Sequence, residues 1–147
     1  MPIKTFRGLM SDGAIDIVSL HTNNGSTGYN IKKLQVMPYS PADTAPEAIL
    51  KVYSIPQSTV TAKIDFSDQT LLAAAFYNQD STAANIVSKV IIIDNVITNQ
   101  DIYITYIDDN AGSATSLNYY IELEQVKLDL TENTVATLKD IRNIESQ

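Results

Sequence analysis

Ser116-Leu-Asn-Tyr-Tyr-Ile-Glu-Leu-Glu-Gln-Val-Lys-Leu128 is the stretch on which the fold turns. Leu117, Tyr119, Ile121 and Leu123 fall on one side of an extended chain, and Asn118, Glu122 and Glu124 on the other. Successive side chains of a strand point to opposite faces, so this spacing buries one face and wets the other. A helix would scatter the same apolar residues around its axis. Strict alternation of this kind is the mark of an antiparallel sheet with one face on a core.

Moving outward from it, Asp101–Ile107 alternates in the same way, with Ile102, Ile104 and Tyr106 on one side and Tyr103 and Thr105 on the other. Asp108-Asp-Asn-Ala-Gly112 joins the two as a turn of residues that tolerate tight backbone angles. Val87–Ile97 is bulky and β-branched almost throughout, with Asp94-Asn95 as a break. Leu71–Tyr77 is apolar on both faces, as suits a strand buried between layers, although Ala73-Ala-Ala75 would also support a helical turn. Thr59–Phe66 reads as a short strand or an extended loop. Ala48–Ser54 is a strand with Leu50 and Val52 inward and Ile49, Lys51 and Tyr53 outward, ended by Pro56. Pro38, Pro41 and Pro46 break the chain before it, because proline cannot donate to a ladder. Ala14–His21 and Tyr29–Met37 read as two strands of a hairpin across a polar loop, and the change of face from Ile15 and Ile17 to Val18 and Leu20 predicts a bulge.

The tail changes character. Thr131-Glu-Asn-Thr134 offers an N-cap and an acidic first turn, and Val135, Leu138 and Ile141 then recur at helical spacing with Ile144 beyond. Short strands separated by turns, with no helix between strands to make a parallel crossover, predict an all-β fold. The expectation is a single antiparallel β-sandwich, jelly-roll-like, over residues 1–147, with an N-terminal arm over 1–12 and a short C-terminal helix in the tail 131–147.

Composition narrows the chemistry. A chain of 147 residues matches one domain and can bury an adequate core without staples. The absence of cysteine excludes disulfides, thiolate nucleophiles and Cys-type zinc sites. Seventeen acidic residues against 10 basic ones leave a net charge of −7, which repels phosphate backbones and argues against nucleic-acid and anionic-membrane partners. The basic residues do not cluster along the chain; Lys32-Lys33 is the one adjacent pair. The apolar run Val90–Ile93 is far too short to span a bilayer.

No constellation points to a reaction. His21, the single histidine, has no Gly-x-Ser-x-Gly motif or cysteine to serve, and reads as a polar strand-end residue. Glu122 and Glu124 project the same way from one strand and could pair as glycosidase carboxylates, but on a face where solvent is the default. Asp108-Asp109-Asn110, with Asp80 or Asp94, offers hard oxygens for calcium without an EF-hand spacing, and the same residues are ordinary turn formers. The Asn23–Gly28 loop lacks the lysine and the following helix of a nucleotide site. The expectation is a non-enzyme without cofactor or metal.

The wording of both ends carries a resemblance. Met1-Pro-Ile-Lys-Thr-Phe-Arg-Gly-Leu-Met10 and Leu20-His-Thr-Asn-Asn-Gly-Ser-Thr-Gly-Tyr29, together with Tyr119–Leu130 and Thr134–Ile144, resemble small virion structural proteins of marine tailed bacteriophages and cyanophages. The resemblance covers the ends and leaves the middle uncovered. It implies a virion component made in the host cytoplasm, and beside the sandwich reading it points to a capsid decoration or cement protein. Its partners would be the major capsid protein or other virion subunits, with itself as a homo-oligomer. The expected assembly contacts are Ile3, Phe6 and Leu9 in the arm and Val135, Leu138, Ile141 and Ile144 in the helix. The rivals are a glycan-binding module of a receptor-binding, tail or neck component, and a hydrolase built on Glu122.

Overall fold

The computed structural model of the chain describes residues 2–20, 26–40, 46–79, 87–109 and 114–128. They form β1 (Ile3–Met10), β2 (Ile15–Val18), β3 (Thr27–Pro38), β4 (Glu47–Tyr53), β5 (Leu71–Gln79), β6 (Val87–Ile93), β7 (Ile97–Thr98), β8 (Ile102–Asp108) and β9 (Leu117–Lys127). One sheet has the order β1-β9-β3-β7 and the other β2-β8-β4-β5-β6, with every neighbouring pair antiparallel. The row 1-9-3-7 over the row 2-8-4-5 is the strand order of a jelly roll, in which the chain shuttles between the two sheets. β6 is a further strand added outside β5.

The alternation of β9 and β8 makes the core. Leu117, Ile121 and Leu123 are fully buried on the inner side of β9, facing Ile102, Ile104 and Tyr106 of β8 and Leu50 and Val52 of β4 across the sandwich. Tyr106 brings its hydroxyl into this core and donates it to the Thr115 carbonyl at 2.6 Å, so burial leaves no polar atom stranded there. Ala73 and Ala75 of β5 face the same core, and the segment is extended, which closes the helical alternative for Leu71–Tyr77.

Two local expectations are corrected. The segments around β2 and β3 do not pair as a hairpin: β2 lies beside β8 in one sheet and β3 beside β9 in the other. β9, 11 residues long, offers β3 a ladder along nearly its whole length, whereas β2 has only four residues to pair. Both segments also carry core residues, and these meet across the sandwich instead of side by side. Nor does β2 bulge. It keeps regular register with β8, with Ile15 and Ile17 on the outer face and Val18 on the core side. The bulges lie at Ile31/Lys33 of β3 and Val52/Tyr53 of β4.

Residues 3–10 of the expected arm are the edge strand β1, paired along its length with β9. Gly13, at φ +81°, turns the chain from β1 into β2, and its amide donates to the Tyr106 carbonyl at 2.9 Å. Residues 59–66 form no strand; this connection folds over the outer face of β4 instead. The helix expected over 131–144 lies outside the described residues.

Candidate functional site

The outer face of the four-stranded sheet carries a groove of about 700 Å³ across β1, β9 and β3. The register decides what lines it. Arg7, Tyr120 and Gln35 form one row of cross-strand neighbours and Leu9, Asn118 and Met37 the next, all on the side opposite the core. Gly8 sits opposite Tyr119 in the inner row, where a Cβ would come within 3.0–3.2 Å of the Tyr119 ring. A side chain at this position would press on that ring and shift it by a few tenths of an ångström. Lys89 of β6 closes the rim by donating to Gln35 Oε1 at 2.8 Å.

The groove has an apolar end and a charged end. Leu9 and Met37 are 50% and 66% exposed, and Tyr39, just past β3, is 64% exposed. Toward the other end the bulge at Ile31/Lys33 turns two successive lysines outward. Lys33 meets Glu122 at 3.8 Å and Lys32 meets Glu124 at 4.0 Å. The two glutamates therefore share a face, as the alternation predicts, and each is engaged by a lysine on the neighbouring strand.

The fold gathers charge that is scattered in sequence. On the outer side of β1, β9 and β3 stand Arg7, Lys32 and Lys33 against Glu122 and Glu124, in a chain of net charge −7, while Lys4 donates to the buried Tyr29 hydroxyl at 3.2 Å on the inner side. Arg7 and Lys33 are far apart in sequence and come together only because β9 lies between their strands. No run or spacing of basic residues along the chain signals this face.

The sequence-predicted contacts divide. Ile3 and Leu9 are exposed on this outer face, at opposite ends of β1, while Phe6 points inward and packs against the core. Val135, Leu138, Ile141 and Ile144 lie outside the described residues, as do His21, Asp80 and Asn110.

Asp108 is a structural clamp. Its Oδ1 accepts from the Glu47 amide at 3.1 Å and its Oδ2 from the Thr115 amide at 2.9 Å, while its own amide donates to Asp12 Oδ1 at 2.8 Å. Both carboxylate oxygens are thus committed to backbone. Asp94, the other described member of the calcium set besides Asp109, lies at the far end of the five-stranded sheet from it. Among the described residues no three His, Asp or Glu side chains gather as metal ligands.

Lys51 is buried on the outer side of β4, under the connection that follows that strand. Its ammonium donates to the Lys63 carbonyl at 2.6 Å and to Thr61 Oγ1 at 3.3 Å, and stands 5.7 Å from the Tyr53 ring centroid. Desolvation holds the ammonium below the usual lysine range, with the Asp68 charge opposing that shift. The geometry is that of a tether between loop and sheet. On the core side, burial, and then Asp16, pushes the Tyr119 phenol up to about 12.

These features define an antiparallel jelly-roll sandwich with a groove on the outer face of its four-stranded sheet. No protein-family model matches the chain, and no curated protein matches its sequence.

Proposed function

We propose that the protein is a structural subunit of a tailed-phage particle, a decoration or cement protein that binds the assembled head through the outer face of its four-stranded sheet. The observation that carries the contact reading is that face itself. Leu9, Met37 and Tyr39 lie exposed beside the row of Arg7, Tyr120 and Gln35, on a framework fixed by two hydrogen-bonded sheets. Exposed apolar side chains supply the desolvation that drives association, and the Arg7 guanidinium beside them offers a carboxylate of the partner a bidentate contact. The resemblance of both ends to virion structural proteins supports the particle as the partner. Jelly rolls recur in viral capsid domains, which supports it by analogy of fold.

The test is co-sedimentation of the full chain with purified phage heads. Leu9→Glu with Met37→Glu should abolish binding while the circular dichroism and melting of the chain stay unchanged. Undiminished binding by this variant would remove the face from the interaction.

A glycan-binding module is the second reading, favoured by one observation. Tyr120 lies in a groove with Arg7, Asn118 and Gln35, an aromatic surface beside guanidinium and amide groups suited to sugar hydroxyls. Retention of the chain on a polysaccharide array, lost in Tyr120→Ala, would support this reading; a blank array would leave the particle contact.

A further inference from the structure

β6 is a strand that the sandwich does not need. The eight other strands complete the jelly-roll order, and β6 lies beyond them, outside β5. Its sequence, Val87-Ser-Lys-Val-Ile-Ile-Ile93, is as apolar and β-branched as any core strand, yet none of its residues is fully buried. Val87, Val90 and Ile92 are 47%, 55% and 48% exposed, and only Ile91 and Ile93 pack partly against the core. Among the described residues no strand pairs with its outer edge.

We infer that β6 is the interface through which two copies of this chain pair, edge to edge and antiparallel, joining their five-stranded sheets into one. An open edge presents a row of backbone donors and acceptors, so its natural occupant is another strand. The sequence of β6 fits its own. With a two-fold axis through Val90, Lys89 falls opposite Ile91, Ser88 opposite Ile92 and Val87 opposite Ile93, so all seven residues are matched and no like charges stand directly opposed. Val90 and Ile92 would join those of the second copy on one outer face, beside Phe76, which already neighbours Val90 in the register.

Charge selects this edge among the four. β1 carries Lys4 and Arg7, β2 is four residues long and carries Asp16, and β7 has two residues. Charged or short edges are how sheets avoid pairing. β6 has no acid, and its one charge, Lys89, is drawn onto Gln35 of its own chain. In a chain of net charge −7, it is an edge where two copies meet without opposing carboxylates. This pairing stands on β6 alone: a chain that dimerises in this way without binding particles would sink the decoration reading and leave this one intact.

The test uses the full chain in sedimentation velocity over a concentration series. The native protein should show a monomer–dimer equilibrium. Val90→Lys and Val90→Glu, each alone, should weaken it about tenfold or more, because like charges then face each other across the axis, and mixing the two variants should restore it. The absence of cysteine allows a second route that needs no charged variant. Val90→Cys treated with a short bismaleimide should form a covalent dimer, and Ile17→Cys, exposed on β2 of the same sheet, should not. A native chain that stays monomeric throughout the series, or a dimer indifferent to both charge variants, would overturn the inference. So would cross-linking that is equal at positions 17 and 90.

Discussion

β9 and β6 are both rich in apolar residues, six of 11 and five of seven, and differ in what the fold does with them. β9 alternates, and its inner row is buried from Leu117 to Leu123 while its outer row meets solvent and the lysines of β3. β6 does not alternate, and it lies exposed at the margin of the other sheet. Alternation reports a face already assigned to a core. An unbroken apolar run reports only that both faces avoid water, and leaves open whether the same chain or a second copy provides the cover.

The comparison breaks first on truncation. Ile121→Ala removes a fully buried side chain from the inner row of β9 and should cost about 2–5 kcal/mol in chemical denaturation. Ile92→Ala on β6 should stay within about 0.5 kcal/mol in dilute solution. Equal losses would show that β6 is part of the core after all.

Alkaline pH sharpens it next. The folded Tyr119 phenol titrates near 12, above its unfolded value of about 10. Its contribution to stability is therefore fully present below pH 10 and is lost as pH rises from about 10 to about 12. The loss should be about 2–3 kcal/mol, and Tyr119→Phe should flatten that part of the stability–pH curve. A wild-type curve as flat as that of the variant would mean that the ring is hydrated.

A smaller effect is expected at Lys51. Lys51→Met removes the hydrogen bond to the Lys63 carbonyl while relieving the burial of a charge, so the net cost should be about 1 kcal/mol. Faster amide exchange in residues 59–66 should accompany it. Smallest of all, Glu122→Gln breaks an ion pair between partly exposed groups and should change stability by only about 0.5 kcal/mol or less. That variant should also leave particle binding unchanged if contact is made at the apolar end of the groove.

How much could be read beforehand follows the same division. The faces of β9, β8 and β4 were legible because their apolar residues recur at a period of two, and an all-β sandwich follows from them. The pairing partners were not legible. β2 and β3 are neighbours in sequence, but partner choice depends on the length of β9, a strand far along the chain. The bulge that turns Lys32 and Lys33 outward together does leave a trace in the sequence, because the buried apolar residues change phase from Tyr29 and Ile31 to Leu34 and Val36 across that pair. The groove was only half legible: Leu9 was singled out, whereas Met37, Arg7 and Tyr120 join it through cross-strand register that no local spacing encodes. Phe6, three residues from Leu9, shows the limit of choosing contacts by hydrophobicity alone, since an odd step along a strand reverses the face.

Hydrogen exchange followed strand by strand, at high dilution and at high protein concentration, tests most directly the claim that β9 closes the core while β6 holds an edge open for a second copy. The account predicts β9 amides protected equally at both concentrations, and outward-pointing β6 amides, those not bonded to β5, that exchange fast when dilute and slow as the concentration rises. Protection of these β6 amides equal to that of β9 at high dilution, or their fast exchange at every concentration, would contradict it.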